Sequence, residues 1–349
     1  MLPTGLHYGS YAGEARILKT RRSQAWTAAL AAGLLVVPLV GSTYLVGAMT
    51  DMFITLIAVY GLYVTVGMAG QINIAQSAFV GVGAFAAAKL SGYGLSFLLV
   101  IPLAALVTAI VSIGFALAAA RVKGFYLALT TLAAQVMFPI VILALPDTWL
   151  GGLVGMPVEA AAIGPFTFGT PQRLYYLVLA VVAVATVAVF NLPRSRLGRA
   201  MMAVRDNDIA AEVMGIPVVR IKLTAFFAGS LFAGVAGACT GYFLQFVTVS
   251  SFTLFTSIWY LGMLIVGGAH SAAGAILGVV FITLLQEVLH GGANAMLQAG
   301  AGSGGLLFAL TSIALGACII LTLVFEPRGL AHRWAVLRTG FQLWPFPRT

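Results

Sequence analysis

Long apolar runs separated by short polar breaks recur along the chain from Ala25 to Phe325. About 20 helical residues at ~1.5 Å each cover the ~30 Å hydrocarbon core of a bilayer, so each run has the length of a transmembrane helix. A membrane β-barrel would show segments of about ten residues alternating apolar and polar, and these runs do not alternate. The pattern predicts an all-α, polytopic transmembrane helical bundle of about 10 spans (about 8–10). They are placed at 25–46, 52–69, 70–90, 95–120, 125–145, 174–190, 223–246, 253–268, 271–289 and 305–325. The third and ninth open on polar or glycine residues, which marks both as candidates for broken or half-crossing helices.

Composition agrees with this solvent: 61% of the residues are hydrophobic and 8% charged, against about 25% charged in soluble domains. The net charge of +9 would suggest nucleic acid as the partner of a soluble protein. In a membrane protein its placement sets orientation instead, and no nucleic-acid partner is expected. With the N-terminus in the cytoplasm, every one of the 18 basic residues except Lys89 and Arg173 falls on an inner segment. Both termini are therefore expected in the cytoplasm, with an even number of crossings. The basic stretch before Ala25 has the charge of a signal-peptide n-region, but the apolar run behind it exceeds the usual ~7–15 residues, so it reads as an uncleaved first span. The expected division is an N-terminal segment 1–24, a transmembrane domain 25–329 and a C-terminal tail 330–349. Cys239 and Cys318 both fall in apolar spans and read as small buried hydrophobes.

Two connections are long. The outer one, 146–173, is rich in proline and glycine and reads as a lid or docking surface. The inner one, 191–222, is the most polar stretch of the chain. There Asp206, Asn207 and Asp208 can cap a short helix through Ala210, Ala211 and Glu212, Gly215 can stop it, and Pro217 suits the first turn of the next helix. The alternative is a solvated basic loop. Gly229, Ala233, Gly237 and Gly241 share one helix face, as do Gly274 and Gly278. Such stripes admit a second backbone at close range, by default within the same chain.

One segment breaks the apolar pattern. GQINIAQSAFVGVGAFAAA, from Gly70, concentrates Gln71, Asn73, Gln76 and Ser77 inside a span. An unpartnered amide in a bilayer costs several kcal/mol, on the order of 4–8 by transfer to alkane, so these groups face protein or water and not lipid. Either they line a substrate path through an unwound segment, the favoured expectation, or they bond helix to helix. Thr130, Thr131 and Gln135 form a second cluster, in which the threonines can instead bond to their own helix. Asp51, Lys89 and Glu287 are expected near span ends, which disfavours a proton relay through the membrane. No lysine follows a glycine, so the phosphate-cradling Gly-Lys pair is absent. His7, His270, His290 and His332 lack metal-ligand spacing. Neither a catalytic residue, a metal site nor a bound cofactor is expected, and an energy source, if used, belongs to another subunit.

These residues resemble a known family, the inner-membrane permeases of branched-chain amino acid ABC transporters of the LivM type. The resemblance runs from about Thr50 to Gly329 and rests on GMAGQINIAQSAFVGVGAFAAA, GFYLALTTLAAQ from Gly124, LGGLVGM from Leu150, SRLGRAMMAVRDNDIAAEVMGIPVVRIKLTAF from Ser195, and MLIVGGAHSAAGAILG from Met263. Two departures stand out: Ile74, Ala75 and Gln76 replace a common Leu-Gly-His run, and Leu150 replaces a common threonine. The resemblance implies a type II-like importer permease in the bacterial inner (plasma) membrane. It implies two ATPase subunits that bind the ATP, a paralogous permease and a periplasmic solute-binding protein. It assigns ATPase coupling to Ala210, Ala211, Glu212 and Gly215. The implied solutes are branched-chain or related amino acids, with urea or short amides as the alternative. From the residues themselves, a stand-alone channel for a small neutral solute remains open. A membrane enzyme is disfavoured because no acidic, His or Cys cluster lies near a face.

Overall fold

The computed structural model describes residues 21–119, 124–152, 154–163, 166–298, 304–326 and 328–343. The segment 1–20, with His7, the short stretches at 120–123, 153, 164–165, 299–303 and 327, and the residues after 343 lie outside the described residues.

Helix α1 (Arg21–Val40) ends at Gly41, and Ser42 caps α2 (Thr43–Leu62) by accepting from the Leu45 N–H at 3.3 Å. The first break is therefore at 41–42 and not at 47–51 as the hydropathy suggested. Thr50 does not interrupt the helix because its hydroxyl bonds to the Val46 carbonyl one turn back, at 2.7 Å. Asp51 consequently sits about two turns inside α2. A π-helical turn, Tyr63–Met68, extends α2, and Gly70, at φ +67°, turns the chain into a non-helical stretch. Helix α3 starts only at Gln76 and runs to Ser91. The third span is thus a broken one.

Helices α4 (Phe97–Ala119) and α5 (Phe125–Ala144) lead to the outer connection, which holds the short α6 (Asp147–Leu150) and strands β1 (Met156–Pro157), β2 (Ala162–Ile163) and β3 (Phe166–Thr167). β2 pairs with β3 in a small hairpin. Helix α7 (Pro171–Asn191) leads to the hairpin of α8 (Arg196–Asp206) and α9 (Asp208–Val213), followed by α10 (Val218–Leu244) and β4 (Phe246–Val247), which pairs antiparallel with β1. Helix α11 (Leu254–Gly267) has only 14 residues, whereas α12 (Ala272–Gln298) has 27 and is unbroken. Of the two spans expected to be broken, the ninth is continuous; the second short helix is α11, one position earlier. Helices α13 (Gly304–Phe325) and α14 (Leu330–Leu343) complete the chain.

Among the described residues, seven helices are long and apolar enough to cross a membrane, and two apolar stretches, Gln24–Val40 and Ala309–Thr322, are shorter. The bundle has two distinct ends, one carrying the paired strands and the other the α8–α9 hairpin. Helix α10 runs between them as the central post, packed on α2, α3 and α4. Its glycine stripe faces neighbours in the same chain: a Cβ on Gly229 would lie 2.7 Å from the Gly61 carbonyl, and one on Gly83 would lie 2.6 Å from Gly234 Cα. Gly274 and Gly278 likewise admit the backbone of α11.

Of the acidic residues expected at span ends, Asp51 lies deeper, whereas Glu287 is level with the first turn of α2. There Glu287, from α12, accepts a 2.6 Å hydrogen bond from the Tyr44 hydroxyl. Close helix contact through glycine also sets a stability expectation. Gly83→Ala forces Cβ into the backbone of Gly234 and should lower stability in detergent by about 1–3 kcal/mol. Gly114→Ala, where a Cβ meets nothing within 4 Å, should leave the unfolding temperature the same or slightly higher.

Candidate functional site

A helix leaves its first N–H groups without intrahelical partners, and inside a bilayer no bulk water serves them. Helix α3 starts at such a place. The Gln76 amide nitrogen donates to the Ala58 carbonyl at 2.6 Å. Ala58 lies about 15 Å of helix, at ~1.5 Å per residue, from the Met68 end of the α2 rod. The non-helical stretch after Gly70 therefore climbs back alongside the π turn before α3 begins near the middle of the bundle.

The polar string closes this break. Gln71, Asn73, Gln76 and Ser77 are 2%, 1%, 0% and 0% exposed. Asn73 Oδ1 accepts from Ala75 N at 3.0 Å, and its amide nitrogen donates to Gln76 Oε1 at 3.1 Å. Ser257 Oγ, from α11, accepts from Ser77 N at 2.8 Å. Gln135 Oε1, from α5, accepts from Ala78 N at 2.9 Å and from the Ser257 hydroxyl at 2.9 Å, while Gln135 Nε2 donates to the Phe252 carbonyl at 3.0 Å. Thr131 Oγ1 accepts from Ile74 N at 3.1 Å. Within the broken stretch, Gln71 N donates to the Thr65 carbonyl at 2.9 Å.

The structure thus joins six of the seven expected pathway residues: Gln71, Asn73, Gln76, Ser77, Thr131 and Gln135 lie in or against one buried break. Thr130 is not among them, because its hydroxyl bonds to Tyr126 in its own helix at 2.9 Å. The amides serve mainly protein partners, so their geometry is that of caps for a helix starting inside the bundle. Among the described residues, three buried oxygens, Gln71 Oε1, Ser77 Oγ and Ser230 Oγ, have no protein partner. Ser257 was missed from sequence, where it is one hydroxyl in an apolar run. The Ala58 and Phe252 carbonyls carry no side-chain signal at all.

Ser257 lies in the first turns of α11, so the beginnings of α3 and α11 meet at this depth while the two helices leave toward opposite ends of the bundle. At the hairpin end, Asn207 caps α9 by accepting from Ile209 N and Ala210 N at 3.1 and 3.0 Å. Gly215 follows at φ +84°, and Pro217 stands at the N-cap of α10, one place before the first turn expected for it. Lys222 pairs with Asp208 across the hairpin at 3.5 Å. Of the expected coupling residues, Ala210, Glu212 and Gly215 are exposed, whereas Ala211 is buried beneath them.

Among the described residues no group of three His, Cys, Asp or Glu side chains could hold a metal ion. A bundle of apolar helices containing broken and short members, with a capped hairpin at one end, defines a multi-pass membrane protein. Residues 44–323 match the family described as the permease component of branched-chain amino acid transport systems, and the chain belongs to that family. Among its relatives is the high-affinity branched-chain amino acid transport system permease protein LivM of Salmonella typhimurium (strain LT2), 29% identical over 294 residues, which cover 77% of this chain and 66% of the relative. LivM of Escherichia coli (strain K12) is 27% identical over 295 residues, with the same coverage. The autoinducer 2 import system permease protein LsrC of Klebsiella pneumoniae is 29% identical over 154 residues, covering 40% of this chain and 42% of the relative. The chain spans 66% of the length of the two LivM proteins. No solved structure matches.

The capping account separates Gln135 from Thr130. Gln135→Leu strands the Ala78 N–H and the Phe252 carbonyl and should destabilise the protein by about 2–6 kcal/mol, at ~1–3 kcal/mol for each unsatisfied group. Thr130→Val should change stability by less than about 0.5 kcal/mol. Unfolding of the purified variants in detergent, followed by circular dichroism, checks both.

Proposed function

We propose that the chain is the transmembrane permease subunit of an ATP-binding-cassette importer for branched-chain or related amino acids, supplied by a periplasmic binding protein. The observation that carries this reading is the tip of the hairpin. Ile209, Val213 and Met214 are 67%, 82% and 82% exposed on an otherwise basic, water-facing loop. Apolar side chains presented together on a capped, rigid hairpin suit a partner protein. In this proposal the partner is one of two ATPase subunits, which bind the ATP; Ala210, Glu212 and Gly215 touch it, and buried Ala211 fixes the hairpin from within.

The rest of the arrangement follows from that assignment. The hairpin end faces the cytoplasm of a bacterium, the strand end faces the periplasm, and the chain crosses the inner membrane ten times with both termini inside. Segments 1–24 and 330–349 flank the transmembrane domain 25–329, with 191–222 as its coupling loop. A paralogous permease completes the pore. The solute path passes the level where α3 and α11 begin. Gln71 and Ser77 offer it the open oxygens, while Asn73, Gln76, Thr131 and Gln135 hold the helix ends in place. Thr130 stays outside the path. Helix starts favour a carboxylate over a cation, which suits a zwitterionic amino acid.

The test is reconstitution with the ATPase subunits encoded beside the chain. Glu212→Lys and Gly215→Pro should cut solute uptake at least tenfold while expression and insertion stay normal. A tenfold loss corresponds to about 1.4 kcal/mol of lost coupling. Normal uptake in both variants would refute the docking role. Solute flux without any ATPase would favour a stand-alone channel.

A further inference from the structure

We infer that Arg205 is a positioning residue, the strut by which movement of the α8–α9 hairpin reaches the broken segment between α2 and α3. The inference rests on the coupling role proposed for the hairpin and adds the physical link that such a role requires.

Arg205 sits in the last turn of α8, whose Met201 and Val204 are buried against the bundle. Its Nη1 donates to the Gly67 carbonyl at 2.8 Å. The Nε and Nη2 groups both donate to Asp206 Oδ1, at 2.9 and 2.7 Å. A planar guanidinium held along two edges has little freedom to swing, unlike a lysine ammonium. Its acceptor belongs to the π turn, where the last carbonyls of the α2 rod run out of helical partners and where a cation is favoured.

The stem of Arg205 makes a second contact. A Cβ placed on Gly70 would lie 2.8 Å from Arg205 Cγ and 3.4 Å from its Cα. The head of the side chain thus holds the end of the helix, and the stem closes on the residue whose positive φ starts the climb toward Gln76. On the other side, Gly67 lies against the Ala269 carbonyl, in the turn between α11 and α12. The junction Tyr63–Gly70 is therefore clamped between the hairpin and the α11–α12 turn. Helices α3 and α11 both have a connecting turn at this one point. Packed interiors transmit displacement because they have no slack, so a shift of α8 moves the junction or breaks the Arg205–Gly67 bond.

The test uses the chain in lipid nanodiscs and amide hydrogen exchange. Arg205→Gln removes the grip on Gly67, and Arg199→Gln is the control, since Arg199 bonds to the Arg194 carbonyl beside its own helix. The expected result is exchange at Gly67 to Ile74 accelerated about tenfold or more in Arg205→Gln, unchanged in Arg199→Gln, with α10 equally protected in both. Arg205→Lys, which keeps one donor, should recover part of the protection. Unchanged exchange at Gly67 to Ile74 would overturn the inference, as would equal acceleration throughout α10, which marks a loosened fold and not a strut. In the reconstituted transporter, Arg205→Gln should retain ATP hydrolysis and lose solute uptake. Because the exchange experiment needs no ATPase, the strut can fail while the docking role of Glu212 and Gly215 stands, and the reverse.

Discussion

A helix that begins inside a bilayer exposes N–H groups that water does not reach, and each must find an acceptor in the protein. Much of this structure follows from meeting that requirement at Gln76. Three elements supply the acceptors: the broken stretch itself through Asn73, α5 through Gln135 and α11 through Ser257. Those bonds fix where α5 and α11 sit against α3. The Gln76 amide fixes how deep α3 begins against α2. A polar cluster that would be costly alone becomes, once most of its groups are partnered, the feature that sets the register of four helices.

The glycine contacts serve the same arrangement. Helix α10 lies against α2 and α3 where Gly61, Gly83, Gly229 and Gly234 remove the side chains that would hold the backbones apart. Apolar side chains gain nothing from leaving lipid for one another, so close backbone approach and hydrogen bonds must hold such a bundle together. The tight post and the capped break are adjacent: Gly61 contacts both the Gln76 amide and the Gly229 carbonyl. The close-packed post and the interrupted helix thus lie side by side in the bundle.

Much of this was legible in the sequence and some was not. The apolar runs announced a helical membrane bundle, and the capping residues Asp206, Asn207 and Asp208, with Gly215 and Pro217, offered a hairpin against the alternative of a solvated loop, because those signals are local. The polar string announced a break, but not its purpose: the partners of Ser77, Ala78 and Gln76 come from Ser257, Gln135 and a backbone carbonyl, all remote in sequence. The first boundary was misplaced because hydropathy falls at Thr50 and Asp51, yet the helix continues where a threonine satisfies itself one turn back. Arg205 looked like one basic residue among several in an inner loop; only its fold neighbours Gly67 and Gly70 distinguish it.

The central claim is that α3 starts at Gln76, inside the bundle, after a non-helical climb from Gly70. Backbone carbon chemical shifts of residues 70–80, measured by solid-state NMR on the chain in lipid bilayers, test it most directly. The account predicts non-helical shifts for Gln71 to Ile74 and helical shifts from Ser77 onward. Helical shifts running without interruption from Gly70 would contradict it.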